Sequence, residues 1–529
     1  MSTPPSTPRP TPRMSTPPST PPSTPRPTAP HAPPTAMTRR RLLAGGGSAL
    51  GALALAAAGA PLRDALAATR RGGPGVNSYS SVPPAPALSP HSRPDLRIPG
   101  LAVDVSKPGT APGPIFIGPY GAPRGQAGAV ITDESGRPLW EYPTSGEEVY
   151  NFQVQLYKGR PALTWWQGVI VDGHGVGSYK IADPDYLTIA NVQAGNGLRG
   201  DLHEFLLTDR GTALLTSYIA TETDLRAVGG PRRGPIEDAV FQEVDLASGR
   251  VLLEWHSLDH IPLSESYWPL SSWSWDYVHL NSIDVDSDGQ LLVSSRNTHT
   301  IYKIDRRSGE IIWRLGGKET NFAMGPGAQF AWQHDARRQA DGTITAFDNQ
   351  GSPGGGPQSR AIVLAVDERN RTASLQRQYL HPLALQASSC GSVRVLPGGN
   401  LFVGWGAEPF VSEFSPGGEL LFDARFGAGY SGYRAFRIPW SATGEAQPNL
   451  AAQRNGKGAT VWVSWNGDTE VVRWQVLAGG RSGALKPLAA APRNAFETAI
   501  EIAAQPQRLA VRGLDARGRV LATSATLAL

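Results

Sequence analysis

Tyr277 to Gly317 reads YVHLNSIDVDSDGQLLVSSRNTHTIYKIDRRSGEIIWRLGG. It holds four short runs in which Val, Ile, Leu, Tyr and Trp alternate with polar residues, the pattern of half-buried β-strands. VHLNSIDV and QLLVSSR flank an Asp-Gly turn, TIYKID follows a short link, and EIIWRLG follows a Ser-Gly turn. Two side chains break the alternation at the outer ends of the first hairpin: His279 where its first strand begins and Arg296 where its second ends.

Working outward, the same unit recurs. A polar turn ending in Gly, followed by a strand carrying an aromatic, appears in DESGRPLWEY, DLASGRVLLEW, DRRSGEIIW and SPGGELLF, with DERNRTASLQ a degenerate copy. Between these lie inner hairpins: HEFLLTDRGTALLTSY, HLNSIDVDSDGQLLVSSR, HDARRQADGTITAFDN and GSVRVLPGGNLFVGWG, with NFQVQLYKGRPALTWW less clear. Counted through YRAFRIPW, this makes six four-stranded units. Such repetition predicts an all-β chain with a six-bladed β-propeller over residues 108–447, because each sheet buries its faces only against its neighbours. Composition agrees: charged residues are only 18% of the chain, while Gly (60) and Pro (47) supply turns. The net charge of +4 carries no basic stripe with interleaved aromatics, which disfavours nucleic acid as a partner. The single cysteine, Cys390, excludes an intramolecular disulfide and a Cys-rich metal site.

Register sharpens the inner hairpins. His203, His334 and Gly391 each stand eight residues before a turn glycine, as does Asn151; His279 stands ten before Gly289, which requires a bulge or a longer turn. Seven residues after these glycines come Tyr218, Arg296, Asn349 and Gly406. A tight hairpin sets its two ends side by side, so His279 and Arg296 should share one rim. His203, His279 and His334, from three consecutive units, should face one central pocket. The other histidines, His31, His91, His174, His256, His260, His299 and His381, fall in linkers, loops or outer strands and read as structural. Asp284, Asp286, Asp288 and Gly289 imitate the start of a calcium loop, but the twelfth position is Ser295, so the run reads as a solvated turn.

Outside the repeats, residues 1–37 form a Ser-Thr-Pro leader too poor in apolar side chains to fold. Residues 38–68 resemble a twin-arginine export signal: Arg39 and Arg40 precede a weakly apolar Ala/Gly/Leu segment, and Ala65-Leu66-Ala67 supplies a small-x-small cleavage site. The mature chain is then expected outside the cytoplasm, without stable membrane insertion after cleavage. Residues 69–107 read as a Pro-rich linker. Residues 453–529 alternate like strands but keep no repeat phase; with Trp465 and Trp474 as core residues, they predict a small immunoglobulin- or fibronectin-like β-sandwich.

Three histidines and an arginine on one rim suit an anion, since arginine stays charged and offers a planar fork to oxyanions. One histidine can be a nucleophile while another moves a proton. No carboxylate pair stands in the same register, which argues against glycoside hydrolysis. Trp273, Trp275 and Tyr277 before His279, and Phe330 and Trp332 before His334, are candidate walls for an aromatic ring, with Asn349 at the paired hairpin end.

The segments DLHEF, YVHLNSIDVDSDGQLLVSSRNTHTIYKID, GEIIWRLGGK, FAWQHDARRQADGTITAFDN and SSCGSVRVLPGGNLFVGWG together resemble the arylsulfotransferase family of secreted proteins, over about Pro114 to Trp440. The resemblance implies transfer of a sulfuryl group from a phenolic sulfate donor to a phenolic acceptor, with no cofactor, nucleotide sulfate donor or metal. It implies a ping-pong cycle in which His334 is transiently sulfated and His279 carries the proton of the phenolic oxygen. Arg296 and His203 would bind the sulfuryl oxygens. Three other readings compete. DRRSGEIIW resembles the blade motif of quinone-cofactor dehydrogenases, three histidines can hold zinc, and a propeller with a sandwich can be a non-enzymatic binding protein.

Overall fold

Tyr277–Gly317 folds as one antiparallel sheet, with strands Leu280–Val285, Leu291–Ser295, Thr300–Ile304 and Ile311–Gly316 in sequence order. Its first turn places Gly289 at φ 83°, a conformation glycine adopts without a Cβ clash. The register shifts between Leu280 and Ser282, the bulge that the ten-residue spacing of His279 requires. The computed structural model describes residues 87–121, 126–270, 273–351, 356–427 and 429–529. The leader, the export signal and the first part of the expected linker lie outside the described residues.

Five further sheets repeat this plan. They run from Glu148 to Val192, from Phe205 to His256, from His334 to Leu380 and from Ser392 to Phe426, and the last combines Ser431–Arg437 with Ile115–Thr144. In that last sheet the C-terminal strand Ser431–Arg437 is innermost and pairs with Ile115–Tyr120, so the ring is closed by hydrogen bonds between its two ends. Core formation follows the two-residue period of the strands. Leu291 and Val293 pack with Leu214 and Phe241 of the preceding sheet, whereas Leu292 packs with Ile344 and Ala346 of the following one. Equivalent clusters occupy the other four junctions, including Phe402 and Phe422 against Ile115 and Val130 where the ring closes. Six sheets, each covered on both faces, make the propeller.

The segment expected as a linker is partly structural. Leu101–Ser106 forms a fifth, outermost strand on the Ser392–Phe426 sheet, and Leu96 and Ile98 are fully buried in the closing core. Apolar residues spaced among prolines carry no strand signal, because their partner strand lies about three hundred residues away. The acidic turn is a cation anchor: Lys303 Nζ lies 3.0 Å from Asp286 and 2.7 Å from Asp288, and Arg338 bonds Asp286 at 2.8 Å.

Beyond the ring, Asn449–Asn455, Gly458–Ser464 and Glu497–Ile502 form one sheet of a sandwich. Lys486–Pro492, Arg473–Gly479, Arg508–Leu514 and Val520–Thr523 form the other. Trp465 and Trp474 are buried between them. Asn466 exchanges two hydrogen bonds with the backbone of Glu141, at 2.9 and 3.0 Å, which fastens the sandwich to the propeller's first outer strand.

Where the inner strands converge, the axis is filled with charge. Glu204 accepts from Arg337 at 2.5 Å and Arg434 at 3.0 Å; Asp335 accepts from Arg337 at 2.9 Å and Arg394 at 3.0 Å. Arg434 also donates to Asn151 Oδ1, to His203 O and to Asn281 O, so one guanidinium holds the starts of three inner strands. Removing one member of a buried ion pair costs about 3–5 kcal/mol because its partner is left uncompensated. Glu204→Gln is expected to lower the urea midpoint by that equivalent; a midpoint within about 1 kcal/mol of wild type would show that the network contributes no net stability.

Candidate functional site

Above this charged floor the inner strands begin with unusual backbone. Asn151, His279 and Cys390 have φ of 55°, 56° and 63°, and Trp332, two residues before His334, has φ of 59°. Non-glycine residues in the left-handed region cost about 1–3 kcal/mol each and persist where surrounding structure over-determines them. At His279 the strain turns the side chain toward the axis while its carbonyl accepts from Arg296 N–H at 2.9 Å. The two hairpin ends therefore do share one rim.

The structure brings the three histidines together, each held through Nδ1 by a different partner. His203 Nδ1 lies 2.6 Å from Asp201 Oδ1. His279 Nδ1 makes a short hydrogen bond to Asp276 Oδ2. His334 Nδ1 lies 2.7 Å from Asn349 Oδ1 and 3.0 Å from Trp332 O. Asn349 spends its amide hydrogens on Ala387 O and Cys390 O, so its oxygen faces His334 as an acceptor. Nδ1 of His334 accordingly carries the hydrogen, and the lone pair sits on Nε2, where it meets only the Cys390 N–H at 3.2 Å. The His203 and His279 rings are 4.6 Å apart.

Burial, then the charge of Arg296, pushes His334 well below the usual imidazole range. The same two causes lower His279 to about 3, against the opposing pull of Asp276. Both rings are therefore neutral at physiological pH. Burial favours the protonated form of Asp276, but the hydrogen bonding of His279 and His174 outweighs it and keeps the carboxylate ionised. Asp201 is likewise held ionised against its burial by His203, His174 and the Gly175 N–H.

Arg296 is the cation of the site. Its Nε donates to Asn297 Oδ1 at 2.9 Å, and its guanidinium lies 5.7 Å from the Trp268 ring and 5.8 Å from the Trp332 ring. It forms no ion pair among the described residues, in contrast to the four arginines of the axis and its acidic rim, Arg337, Arg338, Arg394 and Arg434. Burial favours loss of its charge. The Asp276 carboxylate opposes that loss without touching the guanidinium; a desolvated cation with no ion pair is costly, and an anion bound beside it would offset that cost.

The predicted walls divide. Trp332 and Asn349 belong to the site. Trp275 and Tyr277 pack in the core between two sheets, where Tyr277 OH bonds Ile261 O, and Phe330 fills the next junction. Trp273 is 78% exposed on the surface. Trp275, Tyr277 and Phe330 follow the packing requirement of blade junctions, which takes aromatics as readily as a pocket does. His174, read as structural, lies inside the site: its ring is 3.9 Å from Tyr218 and 5.6 Å from His279. His299 packs against Trp332 at 4.7 Å and stacks on Tyr267 at 4.1 Å. Asp201 and Asp276 also escaped prediction, although each precedes its histidine by two or three residues, in DLH and DYVH. His174, Asp276 and His279 present donor atoms within 4.8 Å of one another, near enough to share a cation. Nδ1 of His279 and Oδ2 of Asp276 are, however, already spent on each other.

Comparison with known proteins places this geometry. A family model described as Arylsulfotransferase (ASST) matches residues 153–427, just over half of the chain and all the histidines named above. No curated protein matches. Among solved structures, a protein of unknown function from Bacteroides caccae is 13% identical, with a TM-score of 0.39 over 61% of this chain and 98% of that one. A catalytically inactive virginiamycin B lyase from Staphylococcus aureus with quinupristin is 10% identical, with a TM-score of 0.33 over 70% and 97%. The Dos1 propeller is 10% identical, with a TM-score of 0.29 over 65% and 73%.

An anion that binds the folded state at ~100 times its Kd adds about 2.7 kcal/mol of stability. Sulfate is therefore expected to raise the thermal midpoint of the wild-type protein, and Arg296→Met to abolish that rise. A sulfate-dependent rise that survives the substitution would place the anion elsewhere.

Proposed function

Because the chain belongs to the arylsulfotransferase family, we propose that it moves a sulfuryl group from a phenolic sulfate ester to a phenolic acceptor through a sulfated His334. The observation that carries this reading is the pair of a neutral, Nδ1-anchored imidazole and an arginine that forms no ion pair among the described residues. His334 Nε2 attacks sulfur, the S–O bond to the donor phenol breaks, and the phenol departs. An acceptor phenol then attacks the sulfohistidine and restores His334. Arg296, with His203 beside it, balances the negative charge on the sulfuryl oxygens as the transition state forms, a contribution worth about 100- to 1,000-fold per donor. As the N–S bond forms, His334 Nε2 gives up the hydrogen bond that it accepts from the Cys390 N–H at 3.2 Å.

His279 serves the phenolic oxygen. Asp276 fixes its ring through Nδ1 and leaves Nε2 for the reacting oxygen. A phenolate leaves readily, its conjugate acid having a pKa of about 10, whereas an alkoxide does not, which accounts for an aryl preference. No step calls for a nucleotide donor or a metal. Export by the twin-arginine signal fits an enzyme that meets phenols outside the cytoplasm, and among the described residues no helix is long and apolar enough to cross a membrane.

Incubation with 4-nitrophenyl sulfate alone is expected to release about one equivalent of nitrophenol and to add one sulfuryl group to the peptide carrying His334. Adding a phenol should give steady turnover. His334→Ala should lose both, and transfer that persists in it would overturn the assignment of the nucleophile. Because His279 is neutral down to about pH 3, the acceptor half-reaction should show no loss of rate attributable to its protonation between pH 8 and pH 5. A descending acid limb centred near 6.5 that His279→Gln removes would contradict that environment.

A further inference from the structure

A neutral His279 holds a single ring proton between its two nitrogens, and Asp276 engages it at Nδ1. Handing a proton to a departing phenolate therefore requires a second source. The adjacent blade provides one. His174, at the start of the strand His174–Ala182, directs Nε2 at the same oxygen of Asp276 that His279 uses, at 3.4 Å, within ion-pair range but too poorly aligned for a hydrogen bond. That nitrogen is buried and has no hydrogen-bond partner among the described residues, and neither has Asp276 Oδ1. Tyr218, whose hydroxyl is tied to Leu280 O at 2.8 Å, stacks on His174 and fixes its ring.

We propose that His174, Asp276 and His279 form a proton relay, in which His174 supplies through Asp276 the proton that His279 passes to the leaving phenolic oxygen. This rests on the transferase reading above. In the donor-ready state His174 has passed its proton to Asp276 Oδ2, which donates it in a hydrogen bond to a bare His279 Nδ1, and the single proton of His279 sits on Nε2. As the N–S bond to His334 forms and the S–O bond breaks, the O–H bond of the phenol forms, His279 Nε2–H breaks and the Asp276 proton moves to His279 Nδ1, which leaves neutral His174, ionised Asp276 and His279 protonated at Nδ1. The net change is one proton from imidazolium His174 to phenolate. In the second half-reaction the acceptor's hydroxyl proton runs the other way and recharges His174, so the cycle consumes no external proton. The groups around His174 favour its holding that proton: besides Asp276, the carboxylates of Asp201 and Glu237 act on it, against its burial. His203 at 6.3 Å and His279 at 5.6 Å are the other titratable rings that face it. His174 is on this account a positioning and proton-storing residue, with no contact to sulfur.

The test compares two donors in the single-turnover donor half-reaction, phenyl sulfate, whose leaving group needs a proton, and 4-nitrophenyl sulfate, whose leaving group is far more acidic. General acid catalysis contributes about 100- to 10,000-fold, so His174→Asn is expected to lower the phenyl sulfate rate at least ~100-fold more than the 4-nitrophenyl sulfate rate. His174→Gln, with the thermal midpoint of both variants measured, serves if the first does not fold. Equal loss on both donors would reduce His174 to a structural role and overturn the relay alone. Failure of the wild-type protein to release phenol from either ester would overturn the transferase reading and the relay with it. Equimolar zinc in the purified protein that His174→Asn removes would show the trio to be a metal site, which also overturns the relay.

Discussion

A sheet that is apolar on both faces has to be covered twice, and everything else in this molecule follows from that constraint. Leu291 and Val293 face one neighbour and Leu292 the other, so no sheet can end the series without leaving a face in water. The ring solves this by borrowing: Ser431–Arg437, the last strand of the propeller, becomes the innermost strand of the sheet that otherwise comes first. Closure then forces six inner strands toward one axis, where side chains crowd too closely for solvent. The protein fills that space with Arg434, Arg337, Arg394, Glu204 and Asp335, whose hydrogen bonds to strand starts fix the height and rotation of each blade.

The reactive geometry is a by-product of that fixation. Arg434 bonds the carbonyls of His203 and Asn281 and the side chain of Asn151. The left-handed residue Asn151 is therefore clamped directly, and left-handed His279 is held from the other side by the Arg296 N–H on its carbonyl. Strain at such positions is sustained because the axis network and the blade cores hold it from both sides. A rigid floor matters for group transfer, where a misplacement of about 1 Å costs on the order of 100-fold in rate.

The repeats were legible because period-two alternation and turn glycines are local signals, and the bulge before Leu280 could be inferred from a spacing of ten where eight was the rule. His203, His279, His334 and Arg296 were legible because they occupy equivalent positions in repeated hairpins. What escaped has a common cause. His174 begins a third strand, away from the inner register, and enters the site only because the Glu148–Val192 sheet carries it across a blade junction to Tyr218. Leu101–Ser106 pairs with a strand more than three hundred residues later. Trp275, Tyr277 and Phe330 precede the right histidines but point into junctions; sequence adjacency does not say which face an aromatic takes. Asp201 and Asp276 left a faint signal, an aspartate two or three residues ahead of a histidine, which only the strand-start geometry makes meaningful.

That geometry also separates three otherwise similar imidazoles. A carboxylate behind Nδ1 fixes the ring and sets a negative charge beside it, as Asp201 does for His203 and Asp276 for His279. An amide oxygen fixes the tautomer equally well yet lends no negative charge, and His334 alone has Asn349. In the proposed transfer, a carboxylate at that position would raise the basicity of Nε2 and invite a proton onto the attacking lone pair, whereas burial beside Arg296 with a neutral partner keeps that nitrogen unprotonated. In that proposal the choice of Asn over Asp at one hairpin end divides nucleophile from proton carrier, among histidines that all stand eight or ten residues before a turn glycine.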